Sequence, residues 1–405
     1  MEKQPHSAPT VWMTNDSCSL DDFRAVAEQT TRAATYPLAI DIQRNIPIYD
    51  AAEIRVAAKD PEKIRAYMTE WNGIFVGGPG VVVFRNTYDD HKLLDDVKAI
   101  LEGIITKERE ANGARGDHFA KAGENARVWN AHEKLCVAAP ELFVRYNAND
   151  ILSLISRSWL GPLYQITAQV NVVYPGGRSQ SPHRDYHMGF QTGEHLKHYP
   201  ATVHQLSATL TLQGAIAHCD MPIESGPTKL LPYSQLYLPG YFATHLQEFR
   251  DYFESHYVQL PLMKGDTLFF NPALFHAAGS NVSKDINRFA NLLQVGSGYG
   301  RSIEVVDRDR ISMVVFPTLK AMAESKKLSS REIENVIAAT AEGYPFPADL
   351  DLDSPSSGMA PASQQDIMRQ ALAENWDVNR FNRAIESYMR RRSPIRHQRL
   401  GEAAE

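Results

Sequence analysis

The stretch "SQSPHRDYHMGF", residues 179–190, puts two histidines and an aspartate into five positions. In an extended segment, residues i and i+2 share a face, so His183 and Asp185 present an imidazole and a carboxylate side by side. By itself "HRDYH" is equally a hydrogen-bonded polar turn. A second stretch bears on the choice: "GDTLFFNPALFHAAGSN", residues 265–281, in which a buried-strand pattern leads to a loop at His276. Two histidines and one carboxylate on one side of a metal form the facial triad of non-haem Fe(II) oxygenases, with positions left open for other ligands. Neither stretch holds a thiolate that would favour zinc. Twelve residues beyond His276 comes Arg288 in "DINRFANLLQV", at the start of another strand pattern. A guanidinium fork grips a carboxylate through two parallel hydrogen bonds, so Arg288 is a candidate receptor for the far carboxylate of a metal-bound co-substrate.

The chain around these motifs is ordinary in bulk. Of its 405 residues 43% are hydrophobic and 22% charged, the balance of a globular protein. A net charge of −6 argues against a nucleic-acid binder, which would show a strongly basic face. Cys18, Cys136 and Cys219 are too scattered for a disulfide framework or a thiolate zinc site, which points to a reducing, cytoplasmic setting. The N-terminus lacks the apolar core of a signal peptide. The run "GIFVGGPGVVVF" (73–84) is too short and too broken by Gly and Pro to span a bilayer, so no membrane partner is expected.

Patterning divides the chain. Residues 1–60 read as an irregular N-terminal extension, with one helix around "LDDFRAVAEQTTRAA". "DPEKIRAYMTEWNG" predicts a helix capped by Asp60, with Pro61 at its first position and Gly73 as terminator. "GIFVGGPGVVVFRNT" predicts a strand interrupted by a turn, and helices are predicted over "YDDHKLLDDVKAILEGIITKERE" and "NDILSLISRSWLG". From about residue 163 the runs "LYQITAQVNVVYPGG", "TVHQLSATLTLQGAIAH", "YVQLPLMKGDTLFFN" and "RFANLLQVGSGYG" read as strands with turns between them, the pattern of a barrel or jelly roll. Helical patterns return after 305, ending with a helix over 364–390. The expectation is an α+β chain: a jelly-roll domain over 61–305 and a helical C-terminal extension over 306–405, serving as a lid or a homo-oligomer contact.

These elements in order resemble the phytanoyl-CoA dioxygenase family of Fe(II)/2-oxoglutarate oxygenases. The resemblance rests on HxD in "SPHRDYH", the distal His in "FFNPALFHAAGSN", Arg288, "IESGPTKLLPYSQ" (223–235) and "GVVVFRNTYDD" (80–90), and it covers roughly residues 65–300. It implies a double-stranded β-helix with Fe(II) held by His183, Asp185 and His276. It further implies 2-oxoglutarate clamped by Arg288 and touched by Asn171, O2 as oxidant, and a small-molecule substrate hydroxylated at a C–H bond with release of succinate and CO2. Related halogenases lack the carboxylate, so Asp185 argues for oxidation without chlorination. Ala278 departs from the Ser or Thr common there in the family, and Ser280 is the nearest hydroxyl.

Two other readings stay open on the residues alone. One is a cupin-like enzyme using another divalent metal without 2-oxoglutarate, for which Arg288 would be dispensable. The other is a metal-free jelly-roll binding protein. His187 reads as pocket lining, since a fourth ligand would occupy a position the reaction needs. Tyr186, Phe190 and Phe275 are candidate pocket walls, while His195, His198 and His204 have no assigned role. The basic "MRRRSPIRHQR" (389–399) reads as a solvated tail.

Overall fold

Strand β5 (Gln165–Val173) shows how the sequence builds the site: Ile166, Ala168, Val170 and Val172 alternate with Thr167, Gln169, Asn171 and Val173, and all eight are buried. Period-two alternation normally sends the polar face to water. Here the apolar face packs under helices and the polar face looks into a barrel. A computed structural model describes residues 11–112, 123–346, 349–355 and 360–392.

The major sheet has eight strands. With β1 (Asp41–Gln43), β2 (Ile46–Asp50), β3 (Val81–Arg85), β4 (Asn125–Val128), β6 (Thr211–Ala217), β8 (Thr267–Phe270) and β10 (Arg288–Gly296), the order is β1-β2-β3-β8-β6-β10-β5-β4. All neighbours are antiparallel except β2 and β3. A smaller sheet pairs β7 (Lys229–Leu231) with β9 (Phe275–Ala277). Single bridges widen it, from His183 to His276 on one side and from Leu230 to Val258 on the other. The architecture is thus α+β, a double-stranded β-helix with helices banked against the outer face of its major sheet.

The largest core lies between that outer face and the helices. It joins Ile166, Val170, Leu212, Ile216, Phe289 and Leu293 from the sheet to Leu94, Phe143 and Ile155 from helices before the barrel. Phe316 and Phe381 from C-terminal helices belong to the same core, their rings stacked at 3.9 Å. The helices Arg308–Glu324, Ser330–Thr340, Gln364–Ala373 and Val378–Arg392 are therefore part of the packing that holds the sheet.

Several local expectations change. The helix capped by Asp60, whose carboxylate accepts the Glu62 and Lys63 N–H groups, runs through Gly73 to Gly77, because Ile74 and Phe75 are fully buried on its last turn. The strand therefore begins only at Val81. "ATVHQLSAT" (201–209) forms a helix although its β-branched residues suggested a strand, which starts at Thr211. Residues 41–50, read as irregular, add β1 and β2 to the sheet edge, and β4 was likewise unforeseen. The last helix is two: Asn375 takes a positive φ of 55°, ending one helix, and the Asp377 carboxylate accepts the Arg380 N–H near the start of the next. Residues 1–10 of the N-terminal extension and 393–399 of the basic tail lie outside the described residues. Among the described residues no helix is long and apolar enough to cross a membrane.

Candidate active site

The HxD segment is held as a strand. The N–H of His183 donates to the His276 carbonyl at 3.0 Å, and the His276 N–H returns the bond at 3.2 Å, so β9 fixes the two histidines opposite one another. The Asp185 N–H donates to the Pro272 carbonyl at 2.9 Å. Alternation then sends His183 and Asp185 inward and Arg184 outward. Arg184 is buried beneath the segment, where it donates to the carbonyls of Ser234 and Tyr237 and packs over the rings of Tyr241 and Phe275. A Cβ at Gly240 would stand 1.9 Å from the Arg184 guanidinium carbon, so this anchor requires glycine there.

The three predicted metal-site residues converge. One donor atom from each of His183, Asp185 and His276 lies within 4.8 Å of the others, and among the described residues this is the sole such group of three. The Asp185 carboxylate is 3.6 Å from Nε2 of His183 and 3.2 Å from Nε2 of His276. Both rings place Nδ1 on the carbonyl two residues upstream, His183 on Ser181 at 2.9 Å and His276 on Leu274 at 2.8 Å. Donation from Nδ1 leaves each Nε2 lone pair facing the aspartate, which is the tautomer a metal needs. Burial lowers the pKa of His183, with Asp185 pulling the other way. For Asp185 burial works upward, yet His183, His276 and Gln213 outweigh it and hold the carboxyl below the usual carboxylate range. Two imidazoles and one carboxylate are donors suited to Fe(II).

Gln213, on β6, was not singled out from sequence. Its side-chain amide donates to Oδ2 of Asp185, fixing which oxygen stays free. The sequence signal was only a polar residue at an inward strand position.

Arg288 and Asn171 open into the same cavity, of about 710 Å³. Arg288 is 6% exposed and donates to the carbonyls of Ser225 and Gly279 at 3.4 and 3.2 Å. Among the described residues no carboxylate lies in ion-pair reach of it, Asp285 and Glu304 included. Burial pushes its pKa down to about 10. The buried Asn171 leaves its side-chain oxygen without a hydrogen-bond partner. A buried guanidinium lacking an anion beside a His–Asp–His set fits a bound dicarboxylate co-substrate and metal.

The turn after Asp185 is strained: Tyr186 and His187 have φ of 60° and 40°, unusual for bulky residues. It drives the Tyr186 ring into the cavity, its hydroxyl buried without a partner. Phe190 lines the rim, half-exposed. His187 lines a smaller adjoining cavity rather than the metal set. Phe275 departs from expectation: next to the inward His276 on β9, it turns away, into a cluster with Phe23, Tyr237 and Phe249. Ser280 is exposed, its hydroxyl accepts the Ser179 N–H at 2.9 Å, and it does not line the metal cavity. His204 packs on Phe242 away from the cavity.

A double-stranded β-helix with an inward His–x–Asp…His set and a buried arginine at the start of a core strand defines the class of iron- and 2-oxoglutarate-dependent oxygenases. The family model "Phytanoyl-CoA dioxygenase (PhyH)" matches residues 78–290, over half of the chain, and the chain belongs to that family. Iron and 2-oxoglutarate are accordingly its cofactors. Solved structures with similarity over part of the chain include the non-heme alpha-ketoglutarate-dependent carbocyclase SnoK from nogalamycin biosynthesis, 19% identical. For SnoK the match covers 63% of this chain and 91% of that one, with a TM-score of 0.42. The epimerase SnoN is 15% identical, over 58% of this chain and 84% of its own, at 0.38. HygX from Streptomyces hygroscopicus, solved with nickel, 2-oxoglutarate and hygromycin B, is 14% identical, over 59% and 90%, at 0.41. No curated protein sequence matches significantly.

Proposed function

We propose that this oxygenase oxidises a C–H bond of a small molecule, hydroxylation being the simplest outcome. His183, Asp185 and His276 would hold the iron, and Arg288 and Asn171 the 2-oxoglutarate. The observation that carries the reading is the shared cavity: the three donor atoms and the unpaired Arg288 guanidinium face one enclosed space. Bound iron supplies, with 2-oxoglutarate and O2, the oxidising power that breaks the C–H bond, leaving succinate and CO2.

The protein's own residues do the rest. Arg288, with no other anion in reach, would take the far carboxylate of 2-oxoglutarate through paired hydrogen bonds. Asn171 would donate its side-chain N–H to an oxygen of the co-substrate. Gln213 keeps one oxygen of Asp185 engaged, so that the aspartate offers the metal its other oxygen. Asp185 itself supports oxygenation over halogenation, which would need an anion in its place. Tyr186, Phe190 and Ile303 wall the substrate side, and a cavity of this size suits a small-molecule substrate. We also read residues 61–305 as the oxygenase domain, with strands before residue 61 completing its sheet edge.

The test is succinate formation from 2-oxoglutarate by the iron-loaded protein under O2, with Arg288→Gln beside the wild type. Succinate from the wild type and a KM for 2-oxoglutarate raised about 100-fold in the variant support the reading. Wild-type protein that binds iron but forms no succinate, or a variant with unchanged KM, contradicts it.

A further inference from the structure

Two further hollows adjoin the metal cavity. Tyr186, Phe190, Gln294 and Ile303 also line a neighbouring cavity of about 260 Å³, which reaches Arg301 and Ser302. Those two residues in turn line a cleft of about 640 Å³ roofed by the C-terminal helices. The three spaces follow one another along the end of β10 and the segment 297–303. The far cleft holds chemistry that the oxidation at the triad does not use.

Four carboxylates border it: Glu304, Asp307, Asp309 and Glu342. Its three arginines are mostly engaged elsewhere. Arg308 donates to the carbonyls of Ile166, Ala339 and Thr340. Arg392 is paired with Asp353 at 3.3 Å and stacks on one face of the Tyr388 ring, while Arg301 stands exposed at the neck. Asp307 caps the helix that follows it, and Glu304 accepts the Asn130 N–H. Asp309 and Glu342 are left: among the described residues no lysine or arginine nitrogen lies within ion-pair distance of either. Asp309 accepts only the Gln364 amide. Burial and neighbouring acids push its pKa up to about 6, and burial raises that of Glu342. Neither half-buried carboxylate is held in an ion pair, although Arg392 acts on both, and Arg308 on Glu342, from farther away.

A second, independent observation points to a ligand. Tyr388 is 3% exposed and lines this cleft, yet its hydroxyl has no hydrogen-bond partner. Aromatic rings, Tyr299 and Phe346, stand with Tyr388 around the acids. Carboxylates, a phenol oxygen and ring faces together are the surroundings that suit an organic ammonium group. A metal ion fits less well, because the cleft offers no three ligand side chains in mutual reach among the described residues.

We propose that this cleft binds a protonated amine, through Asp309, Glu342 and the Tyr388 hydroxyl, and that the amine is the far end of the substrate oxidised at the triad. The second part rests on the reading of the triad given above; the first does not. The C-terminal helices would then form part of the substrate site, selecting molecules long enough to reach from the iron to the acids.

The experiment is calorimetric titration of the full-length protein, without iron or 2-oxoglutarate, using phenethylamine and its uncharged N-acetyl derivative. The proposal predicts that the amine binds at least about tenfold more tightly than the amide. Asp309→Asn and Glu342→Gln should each weaken the amine about tenfold and leave the amide unchanged. Tyr388→Phe, which removes one oxygen and keeps the ring, should weaken it about threefold and guards against loss of folding in the acid variants. Equal binding of the two probes, no binding of either, or amine binding unchanged by all three variants overturns the proposal. Since no iron is present, these outcomes are separate from failure of the oxygenase reading, which shows in succinate formation.

Discussion

The two faces of the major sheet are built from the same strands and do opposite things. On the outer face Ile166, Val170, Leu212, Ile216, Phe289 and Val295 meet helices in a closed apolar core. Asn291, the polar exception on that face of β10, donates to the Tyr146 hydroxyl, and its own side-chain oxygen is left without a partner. On the inner face the same strands carry Gln169, Asn171, Gln213, Arg288 and Gln294 into the metal cavity. There the side-chain oxygens of Asn171, Gln213 and Gln294 are buried without partners. A folded core does not leave such atoms unsatisfied without reason. The outer face supplies stability, and the inner face keeps polar groups ready for molecules that bind later.

Four substitutions or titrations probe that division. His276→Ala removes a ligand from the inner face; succinate formation should fall by about a thousandfold or more, equivalent to ~4 kcal/mol of lost transition-state stabilisation, with thermal unfolding little changed. A comparable loss of folding stability would show that the inner face is structural after all. Phe316→Ala acts on the outer face: it deletes a ring stacked on Phe381 and should cost about 3–5 kcal/mol in denaturant unfolding. In the protein that remains folded, the KM for 2-oxoglutarate should be unchanged. Asn171→Ala should raise that KM about tenfold while leaving stability within about 1 kcal/mol, because the orphaned oxygen has no partner to lose.

The last effect is a slope. His132 and His218 are buried on the outer face, where burial lowers their pKa values to about 3 and about 4. Below the unfolded value near 6.5 the unfolded chain binds protons that the native one refuses. Stability therefore falls with pH from 6.5 toward 4, by up to about 1.4 kcal/mol per unit for each histidine. His132→Gln should flatten this slope in urea titrations between pH 7 and 5. An unchanged slope would mean that His132 does not contribute to it.

Much of the site was legible because its signals are local. HxD at i and i+2, a histidine at a strand end and an arginine opening the next strand pattern each need only a few residues to recognise. The helix capped at Asp60 and strands β5 and β10 were legible for the same reason. What was missed depends on tertiary context. β1 and β2 are short, and Pro47 weakens the strand signal, so only pairing with β3 makes them strands. Residues 201–209 include β-branched residues but form a helix whose His204 turns inward, onto the Leu196 carbonyl and the Phe242 ring. Phe275 could not be assigned a face before the register of β9 against His183 was known. Gln213 stands 28 residues beyond Asp185 in sequence, and no spacing links them.

The central claim is that the inner face holds iron and 2-oxoglutarate together at His183, Asp185 and His276. The most direct measurement is an anaerobic titration of the metal-free protein with Fe(II) and then 2-oxoglutarate, followed by visible absorption. The account predicts a weak metal-to-2-oxoglutarate charge-transfer band that saturates with the co-substrate and is absent in His276→Ala. Iron binding without that band, or a band of equal strength in the variant, would contradict it.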